Sequence, residues 1–131
     1  MKHISTHNKR AVSRLASFGH ALRGIQQLLV TQPNARIHIA ATLTVTLLAW
    51  TLRISAVEWA VIALTVGMVI CAEALNTAIE FVIDLASPEW HELARDAKDV
   101  AAAAVLLASL AAVVVGAIIF APKIVLFWQA L

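Results

Sequence analysis

Seven of the eight acidic residues of this chain fall between Glu73 and Asp99. Within the segment from Glu73 to Asp84, the polar positions Glu73, Asn76, Glu80 and Asp84 are spaced three, four and four residues apart. At about 100° per residue, that spacing keeps them on one face of a helix. The opposite face, with Leu75, Ile79, Val82 and Ile83, is apolar and suits lipid or packing. Ionisable groups inside apolar helices are costly and mark functional sites by default. Hydrogen-bonding glue between helices is a simpler role for such a stripe, but three carboxylates in a row repel one another, which adhesion does not require. Carboxylates close to His91, Lys98 and Asp99 can bind a hard cation such as Mg²⁺, accept a proton from an alcohol, and leave a lysine for phosphate oxygens. Those are the needs of phosphoryl transfer, where the metal neutralises charge and a base orients the nucleophile. A nucleophile delivered from lipid would meet ATP at the interface where the stripe ends.

The elements that must hold this stripe are themselves apolar. Of 131 residues, 61% are hydrophobic and 14% charged, against about 25% charged in ordinary globular domains. A small soluble domain buries only about two-thirds of its surface, so the excess must face lipid or partner subunits. From Arg14 to Leu29 the apolar residues Leu15, Phe18, Leu22, Ile25, Leu28 and Leu29 recur every three or four positions, which predicts a helix lying on the membrane surface. Gln32-Pro33-Asn34 breaks the pattern. Three spans follow, over about 36–53, 57–85 and 98–121, with the surface helix over about 10–31. The first is bracketed by Arg36 and Arg53 and carries threonines able to bond back to earlier carbonyls; the third is expected to stop at Pro122 and Lys123. The whole chain reads as a single all-α integral membrane domain.

Eight of the ten basic residues lie before the first span or between the second and third, and only Arg53 and Lys123 lie on the other side. By the positive-inside rule, this puts the N-terminus and the loop near 86–98 in the cytoplasm. No signal-peptide core precedes the first helix, and the basic residues form no nucleic-acid patch. Cys71 stands alone in an apolar run and reads as a packing residue. His3, His7 and His20 read as headgroup contacts, Trp50, Trp59, Trp90 and Trp128 mostly as interface anchors, Ser109 and Gly116 as close helix packing, and Glu58 as a solvated residue at the outer end of the second span.

Glu73-Ala-Leu-Asn76-Thr77-Ala78-Ile79-Glu80, then Asp84, His91-Glu92-Leu93 and Ala97-Lys98-Asp99, resemble the signature of prokaryotic diacylglycerol kinases. Ser17-Phe18, Ala21, Gly24 and Asn34-Ala35-Arg36-Ile37-His38 look like the undecaprenol kinase branch, and the resemblance runs from about residue 14 to the end of the third span. It implies a homotrimer with composite active sites between subunits, in the bacterial cytoplasmic membrane. It implies Glu73 as the catalytic base with Asn76 beside it, Glu80 as ligand of the nucleotide's Mg²⁺, and ATP contacts from Lys98, Asp99, Glu89, Trp90, His91 and Arg14. Asp84 and Arg36 are supporting residues. Where many members carry a second metal-binding glutamate, this chain has Gln32, whose amide oxygen ligates without charge.

The resulting expectation is Mg·ATP-dependent phosphorylation of a lipid hydroxyl, on diacylglycerol or undecaprenol. Two other classes fit parts of the sequence: a small ion- or proton-coupled transporter using the Glu73, Glu80 and Asp84 stripe, and a noncatalytic assembly subunit. A relay needs no phosphate-binding lysine beside His91, and an assembly subunit tolerates neutral residues at both Glu73 and Glu80.

Overall fold

The computed structural model describes residues 14–129, with side chains from Ala16 onward, and the described chain is all-helical. In order the helices are α1 (Arg14–Thr31), α2 (Pro33–Thr51), α3 (Ala56–Ala86) and α4 (Glu92–Gln129). The first positions of the predicted surface helix, 10–13, and the residues before them, including His3 and His7, lie outside the described residues.

The breaks between helices follow from local chemistry. Gln32, extended at φ −107° and ψ 109° as a residue before proline favours, precedes Pro33 at the first turn of α2. Arg36 then reaches back across the break, donating to the carbonyls of Leu29 (2.9 Å) and Val30 (2.6 Å) at the end of α1. Those carbonyls have no partner within their own helix. At the far end of α2, the Ile54 amide bonds the Ala49 carbonyl and the Arg53 amide the Trp50 carbonyl, both at 3.2 Å. This Schellman-type closure puts Arg53 at φ 49°, a position usually given to glycine. Ser55 opens α3 through a capping box: its hydroxyl accepts from the Glu58 amide, while the Glu58 carboxylate accepts from the Ser55 amide at 2.6 Å.

α4 packs chiefly against α3, α2 against α3, and α1 against α2. α3 and α4 are antiparallel, with Lys98 paired to Asp84 at one end and Lys123 to Glu58 (3.2 Å) at the other. At about 1.5 Å per residue, Glu58 and Asp84 stand roughly 39 Å apart along α3, more than the ~30 Å of a hydrocarbon core. The core cluster of Ala49, Ile54, Ile62, Ile119 and Phe120, with Trp59 packed on it, closes the Glu58 end. The Asp84 end is left to polar groups.

Two expectations are corrected here. Pro122 does not stop the last helix, which runs on to Gln129. Proline's own φ is helical and it forfeits one backbone bond, so the chain carries on past it. Glu58 is not a free solvated acid, since its carboxylate serves both the Ser55 cap and Lys123.

α3 and α4 are each long and apolar enough to cross a membrane. Only 33% and 17% of their most apolar stretches are buried, whereas the core helix of a soluble protein is mostly covered. Leu64, Leu107, Val113 and Ile118 are among the large side chains left exposed. α2, at 19 residues with Arg36 and His38 in its first turns, does not reach the same measure of length and apolarity.

Candidate active site

Along α3 the stripe passes from enclosed to open. Glu73 is 1% exposed, Asn76 and Thr77 are buried, Glu80 is half-buried and Asp84 is exposed. The helical spacing alone makes the four a row. Their environments come from the neighbouring helices.

At the buried end, Glu73 and Asn76 line a cavity of about 240 Å³ together with Asn34 and His38 of α2 and Ala102, Val105, Leu106 and Ser109 of α4. Among the described residues, the enclosed side-chain polar atoms without a partner are Glu73 Oε2, Asn76 Oδ1 and Ser109 Oγ. All three belong to this cavity's lining. Leaving an enclosed polar atom unpaired costs about 1–3 kcal/mol, so three in one cavity call for a polar partner within it. The backbone around them is secured: Thr77 turns its hydroxyl to the Glu73 carbonyl at 3.0 Å.

One helical turn further, Glu80 is held from two sides. Asn76 Nδ2 donates to its Oε1 at 3.0 Å, and Gln32 Nε2 reaches its Oε2 at 3.4 Å from 48 residues away. Asn76 therefore faces both the cavity and Glu80. At the open end, Lys98 Nζ and Asp84 Oδ1 meet at 2.5 Å. Both line a cleft of about 310 Å³ with Glu89, Trp90, His91 and Arg95. His91 sits just before α4: its carbonyl accepts the Arg95 amide, and its Nδ1 accepts the Leu93 amide at 3.2 Å. That leaves Nε2 as the nitrogen free to face the cleft.

The structure thus sorts the candidate residues into three neighbouring groups: Glu73 and Asn76; Gln32 and Glu80, joined to the first by Asn76; and Asp84, Lys98, Glu89, Trp90 and His91. Asp99 is exposed next to Lys98 but does not line the cleft. Arg36 is occupied with the carbonyls that end α1. The side chain of Arg14 lies outside the described residues.

A divalent cation needs oxygen ligands, and Mg²⁺ commonly takes one or two carboxylates with waters and substrate phosphates. Among the described residues, no three His, Cys, Asp or Glu side chains gather as a metal set. Glu80, with the Gln32 amide at its side, fits the smaller protein contribution that a nucleotide-borne Mg²⁺ asks for.

Ser109 and His38 also line the cavity, and the sequence pattern marks neither of them as a site residue. The sequence pattern reads Ser109 and Gly116 as close helix packing, yet a Cβ placed on Gly116 would meet nothing closer than Phe120 at 3.9 Å. Both Ser109 and Gly116 line an open space instead, a groove of about 330 Å³ between α2, α3 and α4. The available signal is a lone hydroxyl in the stretch from Val100 to Ile119, which apart from Gly116 is otherwise alanine and branched aliphatics.

The model of the family described as prokaryotic diacylglycerol kinase matches residues 19–120. An undecaprenol kinase of Bacillus subtilis is 40% identical over 108 residues, 82% of this chain and 88% of that protein. A diacylglycerol kinase of Synechocystis is 44% identical over 115 residues, covering 87% of this chain and 66% of the relative. A diacylglycerol kinase of Escherichia coli is 33% identical over 96 residues, 73% of this chain and 79% of that protein.

Proposed function

The chain belongs to the prokaryotic diacylglycerol kinase family, and from that membership we propose that it transfers the γ-phosphate of ATP to the hydroxyl of a membrane lipid held at Glu73. The observation that carries this reading is the free Oε2 of Glu73, enclosed in a cavity that also presents Asn34, His38, Asn76 and Ser109 beside an apolar wall of Ala102, Val105 and Leu106. A carboxylate there serves as general base for an alcohol that arrives from lipid. The lipid oxygen attacks the γ-phosphorus, its proton passes to Glu73, and the bond from that phosphorus to the bridging oxygen breaks to release ADP.

Lys98 supplies positive charge for phosphate oxygens, held at the mouth of the cleft by Asp84. Asn76 orients Glu80 through its amide and presents its own carbonyl oxygen to the cavity. Mg²⁺, when bound with the nucleotide, would neutralise phosphate charge, with Glu80 and the oxygen of Gln32 as its protein ligands. Glu89, Trp90 and His91 line the nucleotide's side of the cleft, with Asp99 and Arg14 as further ATP contacts. The relay reading of the stripe is not favoured, because its carboxylates are engaged separately, Glu80 by two amides and Asp84 by Lys98.

In this reading α2 is a third span beside α3 and α4, α1 lies on the cytoplasmic surface of the bacterial inner membrane, and three copies share their sites. The distribution of basic residues supports the orientation. The apolar surface left open on α3 and α4 supports an assembly within lipid. Diacylglycerol and undecaprenol both present a primary alcohol, and the Asn34-Ala35-Arg36-Ile37-His38 segment tilts the reading toward the polyprenol. The test is transfer of labelled γ-phosphate from Mg·ATP by the purified protein in detergent, with both lipids offered in parallel. Label on one lipid, absent with Glu73→Gln, is the expected result. Turnover retained by a correctly assembled Glu73→Gln protein refutes the role of Glu73.

A further inference from the structure

Every described threonine in this chain behaves alike. Thr31, Thr42, Thr44, Thr46, Thr51, Thr65 and Thr77 each turn the hydroxyl back to the carbonyl four residues earlier, at 2.7–3.0 Å. That is the ordinary way to satisfy a hydroxyl in an apolar helix. Ser109, in the middle of α4 with the same option, does not take it, and its enclosed Oγ has no partner.

Its position sets the hydroxyl between two spaces. Ser109 and His38 line both the cavity of Glu73 and Asn76 and the groove between α2, α3 and α4. The groove is otherwise walled mainly by Val45, Val66, Val69, Val113 and Phe120. A polar chamber thus continues into an apolar channel, with Ser109 at the junction. A molecule that fills both has a hydroxyl at one end and a hydrocarbon chain behind it.

We propose that Ser109 is a substrate-positioning residue: its hydroxyl donates to the oxygen of the acceptor's primary alcohol, while that alcohol's proton faces Glu73 Oε2 and the hydrocarbon chain leaves along the groove. The proposal rests on Glu73 being the site of the lipid hydroxyl. One lone pair of the acceptor oxygen takes the Ser109 hydrogen bond and the other stays free for attack on phosphorus.

The role predicts an unusual pairing of effects for Ser109→Ala. Removing an enclosed hydroxyl that has no protein partner takes away a desolvation penalty, so the variant melts at or above the wild-type temperature. Losing one neutral hydrogen bond to the acceptor raises the lipid KM about tenfold, equivalent to about 1.4 kcal/mol. The KM for ATP stays unchanged and kcat stays within about twofold. Ser109→Cys, close in size but with a weaker donor, gives a lipid KM between those of the wild type and Ser109→Ala. The experiment measures these constants on the full chain in mixed micelles, with dioctanoylglycerol in one arm and a short-chain prenol in the other, alongside thermal melts. A wild-type lipid KM in Ser109→Ala overturns the proposal, as does a lowered melting temperature accompanied by equal losses toward ATP and lipid. Glu73→Gln, assayed in parallel, keeps the two readings apart. Turnover in that variant overturns the site itself, whereas an inactive Glu73→Gln with an unaltered lipid KM in Ser109→Ala overturns the role of Ser109 alone.

Discussion

Replacing Gln32 by glutamate converts the contact between Gln32 Nε2 and Glu80 Oε2, 3.4 Å in the wild type, into two facing carboxylates. Unit charges about 4 Å apart repel by about 4 kcal/mol at an effective dielectric of ~20. Glu80 is only half-buried, so screening and side-chain relaxation reduce this to about 2 kcal/mol. Without Mg²⁺, Gln32→Glu therefore lowers the melting temperature. With Mg²⁺ the same pair becomes a two-carboxylate ligand set, and the loss turns into a gain in metal affinity. The assay has two readouts on one sample: thermal melts with and without Mg²⁺, and turnover as a function of Mg²⁺ at fixed ATP. The expected result is a melt that Mg²⁺ restores, together with half-maximal turnover at a lower Mg²⁺ concentration. An unchanged Mg²⁺ requirement, with a melt that Mg²⁺ does not restore, refutes the assignment of Gln32 and Glu80 to the metal.

Two further outcomes follow from contacts at the ends of α3. Asp84→Asn removes an ion pair whose side chains are 63% and 38% exposed, so stability changes by less than about 1 kcal/mol; if Lys98 meets phosphate, its release shifts the KM for ATP severalfold, and an unchanged KM separates the lysine from the nucleotide. Ser55→Ala dismantles the capping box that starts α3 and costs about 1 kcal/mol. Detergent melts check this against Ser55→Asn, which keeps a capping side chain and loses little.

The sequence by itself determined whatever depends on one helix at a time. Spacing of three, four and four placed Glu73, Asn76, Glu80 and Asp84 in one row, because the helical repeat is local and needs no neighbour. Pro33 and the polar loop before α4 marked breaks for the same reason. Local rules also misled at Pro122, where the cost of one lost backbone bond left the helix intact to Gln129, and at Glu58, whose partner Lys123 is distant in sequence.

Only the tertiary structure decided which members of the row face what. Gln32 reaches Glu80 because the chain turns at Pro33 and Arg36 ties the turn to the end of α1. Ser109 meets the cavity of Glu73 because α4 runs back along α3 in a register bounded by the Asp84–Lys98 and Glu58–Lys123 pairs. Register between two helices is a property of their packed faces and of their distant ion pairs. A row of alanines, leucines and valines around Ser109 offers many registers of similar apolar character, so the site's second wall emerges only when the helices are packed together.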